Sequence, residues 1–172
     1  MTLDKSGKLW RGEDFADLAD YIREFQAEGY PVDQVVESVC GHCNGRAFRV
    51  QVDDTESCAQ RTCIGCGAAA FIADSAETWD EADPGECECP CGGGEFAVAV
   101  GFSLRDDGEV RWISIGLRCL TDNTLGVCAD WKISYGPPAT SSAMHSRSKA
   151  VIPPQHPAEY HDLHGCWAAC RR

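Results

Sequence analysis

The sequence has no stretch approaching the roughly 18 consecutive apolar residues that a membrane-spanning helix needs. Its opening residues, MTLDKSGKLW, contain no apolar core, so a secretory leader is not expected there. Basic residues are scarce: 15 Lys and Arg face 27 Asp and Glu, for a net charge of -12. The imbalance is concentrated in residues 1–138, where 25 acids oppose 11 bases and the balance is -14; residues 139–172 carry +2. A body this acidic repels phosphate backbones, which argues against nucleic acid as a partner. Catalytic signatures are also missing. There is no HExxH, no GxSxG, no P-loop, no GxGxxG between a strand and a helix, and no H-x-E paired with P-C-x-x-C. An enzyme is therefore not expected. The expected location is the cytoplasm, where thiols stay reduced and paired cysteines read as metal ligands before disulfides.

Cysteine is what the chain has in abundance, with 12 among 172 residues. Cys40-Gly41-His42-Cys43 and Cys63-Ile64-Gly65-Cys66 are two CxxC pairs separated by nineteen residues. This spacing predicts a tetrathiolate centre on Cys40, Cys43, Cys63 and Cys66, with zinc as its ion. Cys58 is the competing thiol, and His42 is expected to face solvent. A second zinc centre is expected on Cys89, Cys91 and Cys119, with Cys128 as fourth ligand and Cys87 as the alternative. The CxC pair is the weaker motif, because alternate residues of extended chain point opposite ways unless the loop turns. Pro90 and the glycines after Cys91 permit that turn. Cysteines make up part of the 44% apolar fraction, and 17 glycines imply many turns, so bound metal would offset a small core.

An apolar stripe of Phe15, Leu18, Ala19, Ile22 and Phe25 predicts one helix over 13–28, with Glu13, Asp14 and Asp17 in its first turn. Gly29 reads as its C′ residue, and Pro31 prevents continuation. Strands are expected over 35–39, 47–52 and 68–73, with Asp53-Asp54 turning the chain. Residues 74–95 hold eight acids and no base, and 75–86 reads as a solvated linker. Three further strands, 96–104, 110–117 and 125–135, form an antiparallel meander around the Asp106-Asp107-Gly108 turn. Residues 139–172 read as a mostly disordered tail in which His156, His161, His164, Cys166 and Cys170 cluster by chance.

The expected class is α+β and strand-rich: an N-terminal helical segment over 1–35, a zinc ribbon over 36–74, and the meander over 87–138. CGHC and CIGC over roughly residues 36–74 resemble the zinc-ribbon and rubredoxin-like families. That resemblance implies a structural zinc, usually within an interaction or nucleic-acid module. The runs RWISIGLRC and ADWKISYGP resemble a group of small bacterial proteins with paired cysteine motifs, which implies the architecture and no activity. Four thiolates close a site to substrate, so the expected function is protein–protein interaction by an acidic, zinc-stapled module. Trp112, Trp131 and Tyr135 are candidate anchors, against the reading that they pack within the sheet. An immunity or antitoxin-like protein masking a basic partner, a nucleic-acid-binding ribbon, and an iron-loaded redox protein are the alternatives.

Overall fold

The computed structural model describes residues 3–26, 29–133 and 170–171. The chain is α+β and strand-rich, with one α-helix and an antiparallel sheet among the described residues. Helix α1 (Phe15–Phe25) opens where Asp14 Oδ1 accepts the Asp17 amide at 3.0 Å and Asp17 Oδ2 accepts the Glu13 amide at 2.8 Å. Two backbone donors at the helix start are thereby satisfied. The helix stops short of the expected residue 28. Gln26 takes the left-handed conformation (φ 40°) at the helix end, and Gly29, also at positive φ (75°), donates its amide to the Gln26 carbonyl at 2.8 Å.

The strands are β1 (Gln34–Glu37), β2 (Phe48–Asp53), β3 (Cys58–Cys63), β4 (Ala69–Phe71), β5 (Gly85–Cys87), β6 (Phe96–Leu104), β7 (Val110–Cys119), β8 (Leu125–Lys132) and β9 (Cys170–Arg171). The sheet runs β4-β3-β2-β6-β7-β8, with β1 against β6, β5 against β2, and β9 against β5. The expected tail is thus represented by β9 alone, and His156, His161, His164 and Cys166 lie outside the described residues. Residues 75–86, expected as a solvated linker, are exposed along much of their length but anchored to the sheet at several points. Ser75 is fully buried, where its hydroxyl accepts the Ala59 amide at 2.8 Å and donates to the Ile72 carbonyl. Asp74 accepts the Trp131 indole N–H at 3.1 Å, and β5 closes the segment onto β2.

Behind these pairings is an internal repeat. The order strand, tight turn, strand, strand, tight turn, strand occurs once over β1–β4 and again over β5–β8. The halves exchange their first strands. On β6, Val36 lies opposite Val100 and Glu37 opposite Ala99. On β2, Gly85 lies opposite Val52 and Glu86 opposite Gln51. Moving β1 by 49 residues and β2 by 48 converts one register into the other. The equivalent residues Phe48 and Phe96 pair with each other at the centre, both fully buried, and each also lies opposite the last cysteine of its hairpin.

Side chains alternate across the long strands. Val98, Val100, Ile113, Ile115 and Leu117 join Val50, Val52 and Ala59 in the main core. On the other face, Ala99 and Val127 pack with Leu18, Tyr21 and Ile22 of α1. The helix comes close because β6 and β7 carry glycines beneath it. A Cβ on Gly101 would stand 2.5 Å from Ile22 Cγ2, and one on Gly116 would stand 2.4 Å from Ile22 Cδ1. Overpacking of this kind costs about 1–3 kcal/mol. Gly116→Ala is expected to lower stability by that amount in denaturant titration, and by clearly less in an Ile22→Ala background, since both changes act on one contact.

Candidate metal centres

Each half of the repeat ends its hairpin strands in tight turns that bring sulfur atoms together. In the first, the Cys40 amide bonds the Gly45 carbonyl at 2.8 Å and the Asn44 amide bonds the Cys40 carbonyl at 2.9 Å. In the second, Cys63 N bonds Ala68 O at 2.9 Å and Gly67 N bonds Cys63 O at 2.8 Å. Asn44 (φ 58°) and Gly67 (φ 75°) take the left-handed conformation that closes each turn, which is why Asn and Gly stand there. The third is shorter by one residue: Cys89 N bonds Gly93 O at 2.8 Å, Gly92 N bonds Cys89 O at 2.7 Å, and Gly92 has φ 90°. That turn lets Cys89 and Cys91 face the same point despite their CxC spacing. The fourth repeats the first two, with Cys119 N to Thr124 O at 2.9 Å, Asn123 N to Cys119 O at 3.0 Å, and Asn123 at φ 62°.

The ligand atoms of Cys40, Cys43, Cys63 and Cys66 all lie within 4.8 Å of one another. Cys40 Sγ is 3.6 Å from Cys66 Sγ, and Cys43 Sγ is 3.5 Å from Cys63 Sγ. A tetrahedral ion bound by sulfur at about 2.3 Å requires sulfurs about 3.8 Å apart, whereas a disulfide requires about 2.05 Å. The cluster has the dimensions of a metal site. Gly45 leaves room for it, since a Cβ there would lie 3.0 Å from Cys63 Sγ and 3.1 Å from Cys43 Sγ. Gly93 does the same in the other half, where a Cβ would lie 3.0 Å from Cys119 Sγ. Cys58 is fully buried at the start of β3 and outside the cluster; burial pushes its thiol up. His42 is exposed.

The protons of the first cluster are unevenly held. Amides of Cys43 and His42 hold the Cys40 thiol down to about 6. The Gly45 amide favours a Cys43 thiolate, but the Cys63 and Cys66 sulfurs outweigh it and push Cys43 up to about 12. Cys66 is raised in the same way, with the Ala68 amide overcome chiefly by the Cys40 sulfur. Thiolates this close repel one another, so all four ionise together only around a cation. Arg61 lies alongside, with its guanidinium 4.8 Å from the Phe48 ring centroid; burial lowers its pKa, and the charges of Cys40 and Cys63 oppose that.

A second group brings together Cys89, Cys91, Cys119 and Asp122, again within 4.8 Å. The Sγ atoms of Cys91 and Cys119 are 3.6 Å apart, and Cys89 Sγ is 3.6 Å from Asp122 Oδ1. Amides of Gly93 and Thr121 point at Cys91 and Cys119 Sγ, each at 3.4 Å. Burial, ahead of the neighbouring sulfurs, raises the Cys89 thiol. Burial works against the Asp122 charge, but the Thr124 amide and hydroxyl outweigh it and hold the carboxyl below its usual range.

The group contains Asp122 where Cys128 or Cys87 was expected to complete the centre. Cys128 sits in mid-strand four residues beyond the turn, about 13 Å along β8 at 3.3 Å per residue, and is buried in the main core. Cys87 is buried there too, in β5, with Cys170 as its backbone partner. A sequence signal for Asp122 existed: Cys119-Leu-Thr-Asp122-Asn123 matches Cys40-Gly-His-Cys43-Asn44 position by position, with aspartate in place of the second cysteine.

Of the expected anchors, Trp131 is buried and bonded to Asp74, and Trp112 donates to Asp130 at 3.0 Å while packing against Tyr30. Tyr135 lies outside the described residues. Comparisons with protein-family models, curated proteins and solved structures find no match.

Cys40→Ser is expected to remove one ion per chain and to expose the β2–β3 hairpin to proteolysis, because the bound ion contributes folding free energy. Metal analysis and limited proteolysis check this; unchanged metal content with unchanged protection would refute it.

Proposed function

We propose that the chain is an acidic, zinc-stapled docking module whose partner is a cationic protein segment. Two closed donor sets support the structural half of this reading. Neither keeps the open position that catalytic zinc uses, and thiolate-rich tetrahedral sets suit zinc. Zinc is preferred to iron, so a purified sample should be colourless; a red sample containing iron would favour electron transfer instead.

The observation that carries the docking half is at the free edge of the sheet. Strand β4 pairs only with β3 among the described residues, and Ala69, Ala70 and Phe71 are all exposed. Phe71 is 41% exposed and packs edge-on against Trp79 with centroids 5.4 Å apart. The short 3-10 turns that carry Trp79 also carry the exposed carboxylates Glu77, Asp80 and Glu81. An unpaired edge offers backbone hydrogen bonds to an added strand, the aromatic pair offers an anchor, and the acids select Lys- or Arg-bearing partners. Masking of a basic toxin would be one instance of this activity. The -14 balance of residues 1–138 opposes the nucleic-acid alternative.

The test is comparative affinity capture by the wild-type chain and by a Phe71→Ser, Trp79→Ser variant of unchanged metal content. A protein of basic isoelectric point is expected with the wild type and at least tenfold less with the variant. Equal capture by both, or capture of nucleic acid instead, would overturn the proposal.

A further inference from the structure

The two halves hold the same construction with one chemical difference: a cysteine position of the first is occupied by Asp122 in the second. We infer that Asp122 is the fourth ligand of a centre made of three cysteines and one aspartate, and that this centre exchanges its divalent ion while the four-cysteine centre stays loaded.

Three observations make Asp122 a ligand position. The turn that bears it closes with the same hydrogen bonds as the turn bearing Cys66, from Cys119 N to Thr124 O and from Asn123 N to Cys119 O, with a left-handed fifth residue. Its Oδ1 lies 3.6 Å from Cys89 Sγ. A tetrahedral ion with sulfur at about 2.3 Å and carboxylate oxygen at about 2.1 Å sets that separation at about 3.6 Å. Finally, the carboxylate is held in place by its surroundings. The Thr124 amide donates to Oδ1 at 3.1 Å, Thr124 Oγ1 donates to Oδ2 at 2.8 Å, and the Arg11 guanidinium stands 3.8 Å from Oδ2. These contacts fix the carboxylate with Oδ1 on the side of the sulfurs.

Exchange follows from the donor set. A carboxylate is a hard ligand, and it holds a borderline-soft ion less firmly than the thiolate it replaces. Arg11 and Thr124 draw charge from the same carboxylate, weakening it further as a donor. The first centre has four thiolates and no carboxylate among its donors. Both centres carry the same formal charge with a divalent ion, so the contrast between them is one of ligand type.

The full chain loaded with two zinc ions is mixed with excess chromophoric chelator, and zinc release is followed in time. Two phases of one zinc each are expected, separated by at least tenfold in rate. In Asp122→Cys the fast phase should slow toward the other, since the turn already has the CxxC geometry. A single phase for both ions in the wild type, or an unchanged fast phase in Asp122→Cys, would overturn the inference. Should that variant fold poorly, cobalt loading of the wild type decides. The ion lost first should show thiolate charge-transfer intensity about three-quarters that of the retained ion, in proportion to three sulfurs against four. Equal intensities would overturn the assignment of Asp122. Neither arm involves Phe71 or Trp79, so the docking proposal and this one fail separately.

Discussion

Four sulfurs within 4.8 Å of one another cannot all be ionised without a cation between them, and much of this structure is arranged around that constraint. Tight turns aim backbone amides at the sulfurs. Glycines at 45 and 93 clear the space beneath them, and left-handed residues at 44, 67 and 123 close the turns. Each turn adjoins a strand, so the ends of both hairpins are tied together at the point where a sheet would otherwise fray. The main core contains several cysteines beside its aliphatic residues, and Cys40, Cys63, Cys89 and Cys119 of the two candidate centres are among them. A metal ion held by these thiols would therefore bind in the same folding reaction that packs the core.

The repeat explains how so small a core is shared. Because β1 pairs with β6 and β5 with β2 in equivalent registers, neither half completes its sheet without the other. Phe48 and Phe96 meet where the halves cross. The acidic stretch before β5 is drawn into the fold by this exchange, through Ser75 and Asp74, so it becomes part of the wall beside Trp131. It also carries exposed carboxylates in the same short turns as Trp79, which packs against the exposed Phe71.

The strands of the second half were legible from sequence because FAVAVGFSL and VRWISIGL are long and apolar; their observed spans begin at the residues the pattern named. Strand β3 was not legible. Its sequence, CAQRTC, has polar residues at its centre, and only pairing with β2 on one side and β4 on the other makes it a strand. The helix ended early because Gln26 adopted a conformation that sequence reasoning assigned to glycine.

By itself, the sequence determined the strand-rich α+β class, the meander and the four-cysteine group at 40, 43, 63 and 66, because apolar runs and CxxC spacing act over a few residues. Only the tertiary structure decided which distant residues meet. The strand exchange sets Gln34 opposite Phe102 and Val52 opposite Gly85, with no local pattern to announce either pairing. The second centre depended on a turn whose aspartate looks ordinary until it is superposed on its cysteine counterparts. Cys128 stands outside that group because an extended strand carries it away from the turn.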